Sequence, residues 1–415
     1  MYGQTRKLPI PTLDVHKQTN LIKEDKLTPI REFLNANFEI KVNCFDHTKS
    51  VIKSKKKIYP FPIKFNDISL ELFQAGLTTS DNVLRKILSS PNQIKTYNPI
   101  IDYLESLKDT YNGFSHIDKL CTFFKARDFN DKDKNHYQER LNYYVKKWIV
   151  ATAATSLNMY ANPVALGFIH SEEGVGKTYF FDFIVPNELK DFYTIYDPKK
   201  MIMNESFARH MVVLFDELVG INNRSSNTFK NVIQLQNINL KNSYDPFPVN
   251  YPRIGSAGFT TNRTPELGGF ITQNLGYRRF GSIEIEDIDQ SYSKEIDVDQ
   301  IWAEAFVLIN SGFKYQFDMT DFKELKEYNK RYVIKTPAMM IIELNYRKPE
   351  KGEKGELLQP SEILQNLYRS RKIKSEHQEK ITAETIGVAL MHLKFERKML
   401  RLDKGPKYYY HVIHT

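Results

Sequence analysis

Short apolar runs separated by polar turns dominate the middle of this chain. Residues 164–169 (Val-Ala-Leu-Gly-Phe-Ile), 211–215 (Met-Val-Val-Leu-Phe) and 254–261 are nearly free of charged or large polar side chains. Runs of this length without alternation suit strands covered on both faces, as in a parallel sheet flanked by helices. Gly281–Glu286 instead alternates apolar and polar residues and reads as another strand. Trp148 through Ile169 lacks charge and is long enough to cross a bilayer, but it contains Thr152, Thr155, Asn158, Asn162 and Pro163. It is therefore read as a buried helix, a proline-marked turn and a strand.

Apolar residues at three- and four-residue spacing predict helices over 66–77 and 80–88, and residues 96–165 read as mainly helical around a charged turn at 128–134. Asn237–Arg253 alternates, passes through a turn rich in Asn, Asp and Pro, and returns toward a strand, which is the pattern of a hairpin. Past a Lys-, Glu- and Gly-rich stretch at 347–355, two helices are expected at 360–367 and 382–393. A basic, aromatic hairpin over 395–413 follows, so the tail is read as a winged helix, with Arg397, Lys398, Arg401 and Lys407 facing phosphates.

Chemistry concentrates at the ends of the apolar runs. Directly after the first comes Ser-Glu-Glu-Gly-Val-Gly-Lys-Thr, residues 171–178, and then a helix-like Tyr179–Ile184. A phosphate-cradling turn needs small residues that let backbone N–H groups point inward, a lysine for the β/γ-phosphates and a hydroxyl for magnesium. Gly174, Val175, Gly176, Lys177, Thr178 and Tyr179 are the candidate ATP-binding residues, with Ser171 where the pattern's first glycine usually stands. The second run ends in Asp216-Glu217, placed for Mg²⁺ and for the attacking water on a strand expected beside the phosphate loop. The third ends in Asn262, a candidate sensor of the γ-phosphate, and Arg278-Arg279 precede the alternating strand as candidate arginine fingers acting from a neighbouring subunit.

These motifs, packed in this order, resemble the superfamily 3 helicases, a branch of the AAA+ ATPases of viruses, phages and mobile elements. More narrowly the chain resembles the virulence-associated protein E family, through Asn98–Leu107, the Asn112-Gly113 turn leading to Ile117–Leu120, and Ile301–Ala305. The resemblance spans roughly residues 96–320. It implies Lys177 and Thr178 on the phosphates and Mg²⁺, Asp216 on Mg²⁺, Glu217 as the base, Asn262 as sensor and Arg278 or Arg279 as the finger. It also implies a hexamer with single-stranded DNA in a central channel, gripped by a hairpin lysine. Lys241 is the candidate, with Lys230 and Arg253 behind it.

Composition fits this picture. The net charge of +9 and a pI near 9.1 favour polyanions, while 24 Tyr and 27 Phe supply mostly core with some faces for stacking. Only Cys44 and Cys121 are present, without metal-ligand spacing, so neither a disulfide framework nor a zinc site is expected. The start lacks the apolar core of a signal peptide, and a cytoplasmic protein without a membrane partner is expected. The expected fold is an α/β P-loop ATPase core with a mainly helical N-terminal part and a winged-helix-like C-terminal domain. Its expected parts are an accessory domain (1–95, short for a catalytic primase), a helical lead-in or oligomerising collar (96–163), the ATPase core (164–320), a helical connection and linker (321–355) and the winged helix (356–415). The expected function is an ATP-driven DNA helicase or translocase for replication of a phage, plasmid or mobile element, with possible replication-protein partners. An ATP-gated DNA-binding initiator or regulator, or a small-molecule P-loop kinase, are the other readings of the same motifs.

Overall fold

The computed structural model describes residues 26–45, 50–55, 64–90, 94–218, 225–241, 247–272, 275–350, 352–372, 381–402 and 405–415. The chain divides into two compact units, Met1–Pro99 and Ile100–Thr415. In the first, α1 (Thr28–Asn37), α2 (Phe65–Gln74) and α3 (Asp81–Ser89) accompany a three-stranded sheet of β1 (Phe38–Asn43), β2 (Ser50–Ser54) and β3 (Lys95–Tyr97), in the order β2-β1-β3. Ile68 and Leu72 of α2, Leu84 of α3 and Phe38 and Ile52 of the sheet share one core. The two helices follow the predicted periodicity; the sheet was not anticipated.

The second unit opens with α4 (Pro99–Ser106), α5 (His116–Cys121), β4 (Phe124–Ala126) and α6 (His136–Ser156). There follow β5 (Ala165–Ile169), α7 (Lys177–Phe183), β6 (Tyr193–Ile195), α8 (Met203–Arg209), β7 (Val212–Phe215), α9 (Ser226–Val232), the paired β8 (Asn237–Leu240) and β9 (Val249–Pro252), β10 (Ser256–Thr261) and β11 (Phe280–Ile288). Helices α10 (Tyr292–Glu295), α11 (Val298–Asn310) and α12 (Met319–Tyr328) complete the core. The sheet order is β4-β11-β5-β10-β7-β6, parallel throughout except for β4 at the edge.

Each central strand is buried along its whole length because both faces are covered. Phe168 meets Phe180 and Phe181 of α7 on one face, while Phe215 meets Phe207 and Phe229 on the other. The span 148–169 is the end of α6, a turn and β5, and among the described residues no helix is long and apolar enough to cross a membrane.

Two boundaries differ from the sequence reading. Residues 96–163 are not set apart as a collar: α6 lies on the sheet, where the Trp148 indole donates to the Ala257 carbonyl (3.1 Å). Helix α12 also belongs to the core, through the buried Lys147–Asp321 ion pair (2.7 Å) and Arg140–Glu324 (2.7 Å). The C-terminal module accordingly begins earlier than expected, at α13 (Pro337–Asn345). It continues through β12 (Tyr346–Arg347), β13 (Glu356–Leu358), α14 (Pro360–Arg369), α15 (Ala383–His392), β14 (Arg397–Leu402) and β15 (Gly405–His414). Ile342, Ile363, Leu367, Ile386, Leu390 and Val412 join the three helices and the sheet in one core.

Candidate active site

The cleft forms where β5, β7 and β10 end. Parallel strands with their carboxyl ends at one edge bring loops from distant parts of the sequence together there. The turn after β5 takes left-handed backbone angles at Gly174 (φ 78°) and Gly176 (φ 99°), which a side chain would oppose. A Cβ at Gly176 would also come within 3.3 Å of the Gln290 amide. Ser171 is not among the described residues with positive φ, so a serine carries no backbone penalty where the usual pattern has glycine.

Lys177, only 6% exposed, directs its ammonium to the carbonyls of His170 (3.2 Å) and Glu172 (2.7 Å) and to Asn262 Oδ1 (2.5 Å). Burial pulls its pKa below the ordinary lysine value, and the nearby carboxylates of Glu217, Asp216 and Glu173 partly offset this. The Asp216 carboxylate accepts from Thr178 Oγ1 (2.8 Å) and Thr260 Oγ1 (2.6 Å), and Thr260 in turn accepts from the Glu217 N–H (3.1 Å). Glu217 Oε2 accepts from the Asn262 N–H (3.3 Å).

Glu217 (φ 48°) and Leu218 (φ 53°) are consecutive left-handed residues without glycine, a conformation costing roughly 1–2 kcal/mol each. Such strain is tolerated where the surroundings impose it, and here it turns the chain sharply after β7. The resulting cleft, ≈ 530 Å³, is lined by Gly174, Gly176, Lys177, Thr178, Tyr179, Asp216, Glu217 and Asn262, together with Glu173 and Gln290.

The structure therefore brings together the loop, the acidic pair and Asn262, but the sequence reading was incomplete. The Asp216 strand is not the neighbour of β5: β10 lies between them, and its Thr260 ties the two acidic residues to the site. Thr260 and Gln290 carried no signal in the sequence, since each depends on which strand or turn abuts the loop. The donors fit magnesium held jointly with a nucleotide. Thr178 and Asp216 offer two oxygen ligands, and no group of three or more His, Cys, Asp or Glu suited to a resident metal occurs among the described residues.

Arg278 and Arg279 do not line this cleft. Their short turn, Tyr277–Arg279, leads into β11, whose Phe280 pairs with Ala165 at the opposite end of β5 from the glycine turn. Arg279 is half-buried and, with the Gln234 amide oxygen turned toward it, donates through Nε (3.2 Å) and Nη2 (2.5 Å). Arg278 is exposed, with its guanidinium 5.3 Å from the Phe322 ring centre.

The hairpin strands β8 and β9 pair as expected, with Ile238 opposite Tyr251 and both buried, while the turn at 242–246 lies outside the described residues. Lys241 is exposed beside that turn and Phe247 is 76% exposed; Lys230 is part-buried in α9. Arg253 corrects the sequence reading. It is 1% exposed and donates to the carbonyls of Leu235 (2.8 Å), Gly255 (2.7 Å) and Asn162 (3.1 Å), so it anchors the hairpin's base and does not reach a phosphate. Burial lowers its pKa to about 9, which leaves it charged at neutral pH. Arg253→Met should cost about 3 kcal/mol or more in chemical denaturation, because three buried carbonyls lose their donor.

In the C-terminal module Arg397 and Lys398 of β14 and Lys407 of β15 are exposed; Arg401 is in β14, and its side chain lies outside the described residues.

The fold and cleft define a mixed α/β protein with a glycine-turned cleft at the carboxyl edge of its sheet. The profile of the virulence-associated protein E-like domain matches residues 104–334, more than half of the chain, and the chain belongs to that family. Among solved structures, the apo structure of the NrS-1 C-terminal region (305–718) is 14% identical with a TM-score of 0.47, covering 94% of this chain and 100% of that one. An A-form apo structure of the same region is 12% identical with a TM-score of 0.44, over the same shares of each chain. No curated protein matches the chain.

Proposed function

We propose that this protein is an oligomeric P-loop ATPase of the superfamily 3 type that translocates on DNA during replication of a phage, plasmid or mobile element. The observation that carries this reading is the convergence of Lys177, Thr178, Asp216, Glu217 and Asn262, from three strand ends, on one cleft. The order β11-β5-β10-β7-β6, with the Asn262 strand inserted between the glycine-turn strand and the acidic strand, supports the AAA+ form.

In this reading Lys177 pairs with the β/γ-phosphates of ATP, which relieve the cost of its burial. Thr178 and Asp216 hold Mg²⁺, which when bound neutralises charge on the bridging phosphate oxygens. Glu217 accepts the proton of the attacking water, and the Asn262 amide contacts both the γ-phosphate and that water. Arg278, exposed and remote from its own cleft, is the finger offered to a neighbouring subunit; Arg279 is committed to Gln234. Lys241 and Phe247 present a cation and an aromatic face beside the hairpin turn, suited to a backbone phosphate and a stacked base. The C-terminal module, three helices with a β14–β15 wing carrying exposed Arg397, Lys398 and Lys407, supports the winged-helix reading.

Strand separation on a forked duplex tests the proposal. ATP-dependent release of one strand is expected, and DNA-stimulated ATP loss without release would move the protein to an initiator or regulator.

A further inference from the structure

A second recess, ≈ 830 Å³, lies between the core and the C-terminal module. Its cations come from separate stretches: Arg278 before β11, Lys326 and Lys330 on and after α12, Lys335, and Lys394 beyond α15. Glu327 pairs with Lys330 and Glu343 with Lys335 (2.6 Å). Lys394 nonetheless sits against Lys330, and that like charge pulls its pKa below the ordinary lysine value. Two ammonium groups in contact are unfavourable unless an anion joins them.

Lys394 is also conformationally expensive. It closes α15 with the Phe395 N–H bonded to the Leu390 carbonyl (3.0 Å) and its own N–H to the Met391 carbonyl (3.0 Å), the paired bonds of a Schellman ending. The position it occupies is left-handed (φ 58°) and is usually glycine. Arg371 ends α14 in the same way outside the recess, so the strain alone does not mark a site. The contact with Lys330, inside a cationic recess shared with Arg278, does.

The two ends of the sheet are complementary in charge. The cleft at the carboxyl end exposes Glu173, Asp216 and Glu217 around Lys177, and would hold phosphates besides; the recess beside the start of β11 is cationic. A head-to-tail contact that repeats around a ring would bring one face onto the other. We propose that the recess is the in-trans half of the nucleotide site. Lys330 and Lys394, beside Arg278, receive the phosphate chain held in the cleft of a second copy of this chain, so the C-terminal module reads its neighbour's nucleotide. This deepens the ATPase reading and rests on it.

The test mixes two defective full-length variants. Lys177→Ala keeps an intact recess, and Lys330→Gln/Lys394→Gln keeps an intact cleft. Each alone should hydrolyse ATP poorly, whereas a one-to-one mixture should recover about a quarter of wild-type turnover, the share of random contacts that pair a sound cleft with a sound recess. ATP-dependent growth in solution mass, read by light scattering, should need about tenfold more ATP in the lysine variant than in wild type. Lys394→Gly should melt no lower than wild type while sharing the assembly defect, which separates loss of the charge from loss of the fold. A mixture no better than the mean of its parents would overturn the proposal. So would a lysine variant with wild-type turnover and assembly but weakened binding of single-stranded DNA, which would make the recess a DNA groove. Absence of turnover in wild type would instead remove the ATPase reading beneath it.

Discussion

Lys177→Ala should reduce ATP turnover by on the order of 10²–10³ or more, the scale of losing one well-placed charge-stabilising donor. The ammonium is the cation inside the cleft, and alanine leaves the transferring phosphoryl group without it. The fold should survive. Lys177 carries a burial penalty of its own, and the carbonyls of His170 and Glu172 that it holds belong to a loop at the cleft's edge, where water can replace it. Turnover measured beside a thermal melt checks both halves: an active variant contradicts the assignment of the cleft, and a collapsed melting temperature makes the lysine chiefly structural.

The second large effect is expected from Glu217→Gln. Glutamine preserves size, so the left-handed turn at 217–218 and the contact with the Asn262 N–H can persist. What is lost is the carboxylate that takes the proton from water, a contribution of roughly 10²–10⁴ in rate. ATP should therefore bind with near wild-type affinity and remain uncleaved, in contrast to Lys177→Ala, where binding and cleavage both suffer. Equal losses of nucleotide affinity in the two variants would show that Glu217 shapes the cleft and does not act on water.

Much of the site was legible because its parts are local. A glycine turn between a buried strand and a helix, or two carboxylates after an apolar run, are written in consecutive residues, and β5, β7 and β10 fall within a residue or two of the apolar runs. What depends on strand neighbours was not legible. Thr260 became part of the site only because β10 inserts between β5 and β7. Arg253 looked like a solvated hairpin cation, yet three carbonyls from separate segments satisfy it in the interior. The three-residue β4 is too short to show a period, and it exists because β11 offers it an edge. The start of the C-terminal module was misplaced for a related reason: Pro337–Asn345 reads as any apolar helix, and only its packing against α14 and α15 assigns it.

The central claim is that the cleft hydrolyses ATP in response to DNA. ATP hydrolysis by the purified full-length protein, with and without single-stranded DNA and with Lys177→Ala as reference, tests it most directly. The account predicts turnover well above that of the variant and strong stimulation by DNA. Slow turnover, indifferent to DNA and equal to that of Lys177→Ala, would contradict it.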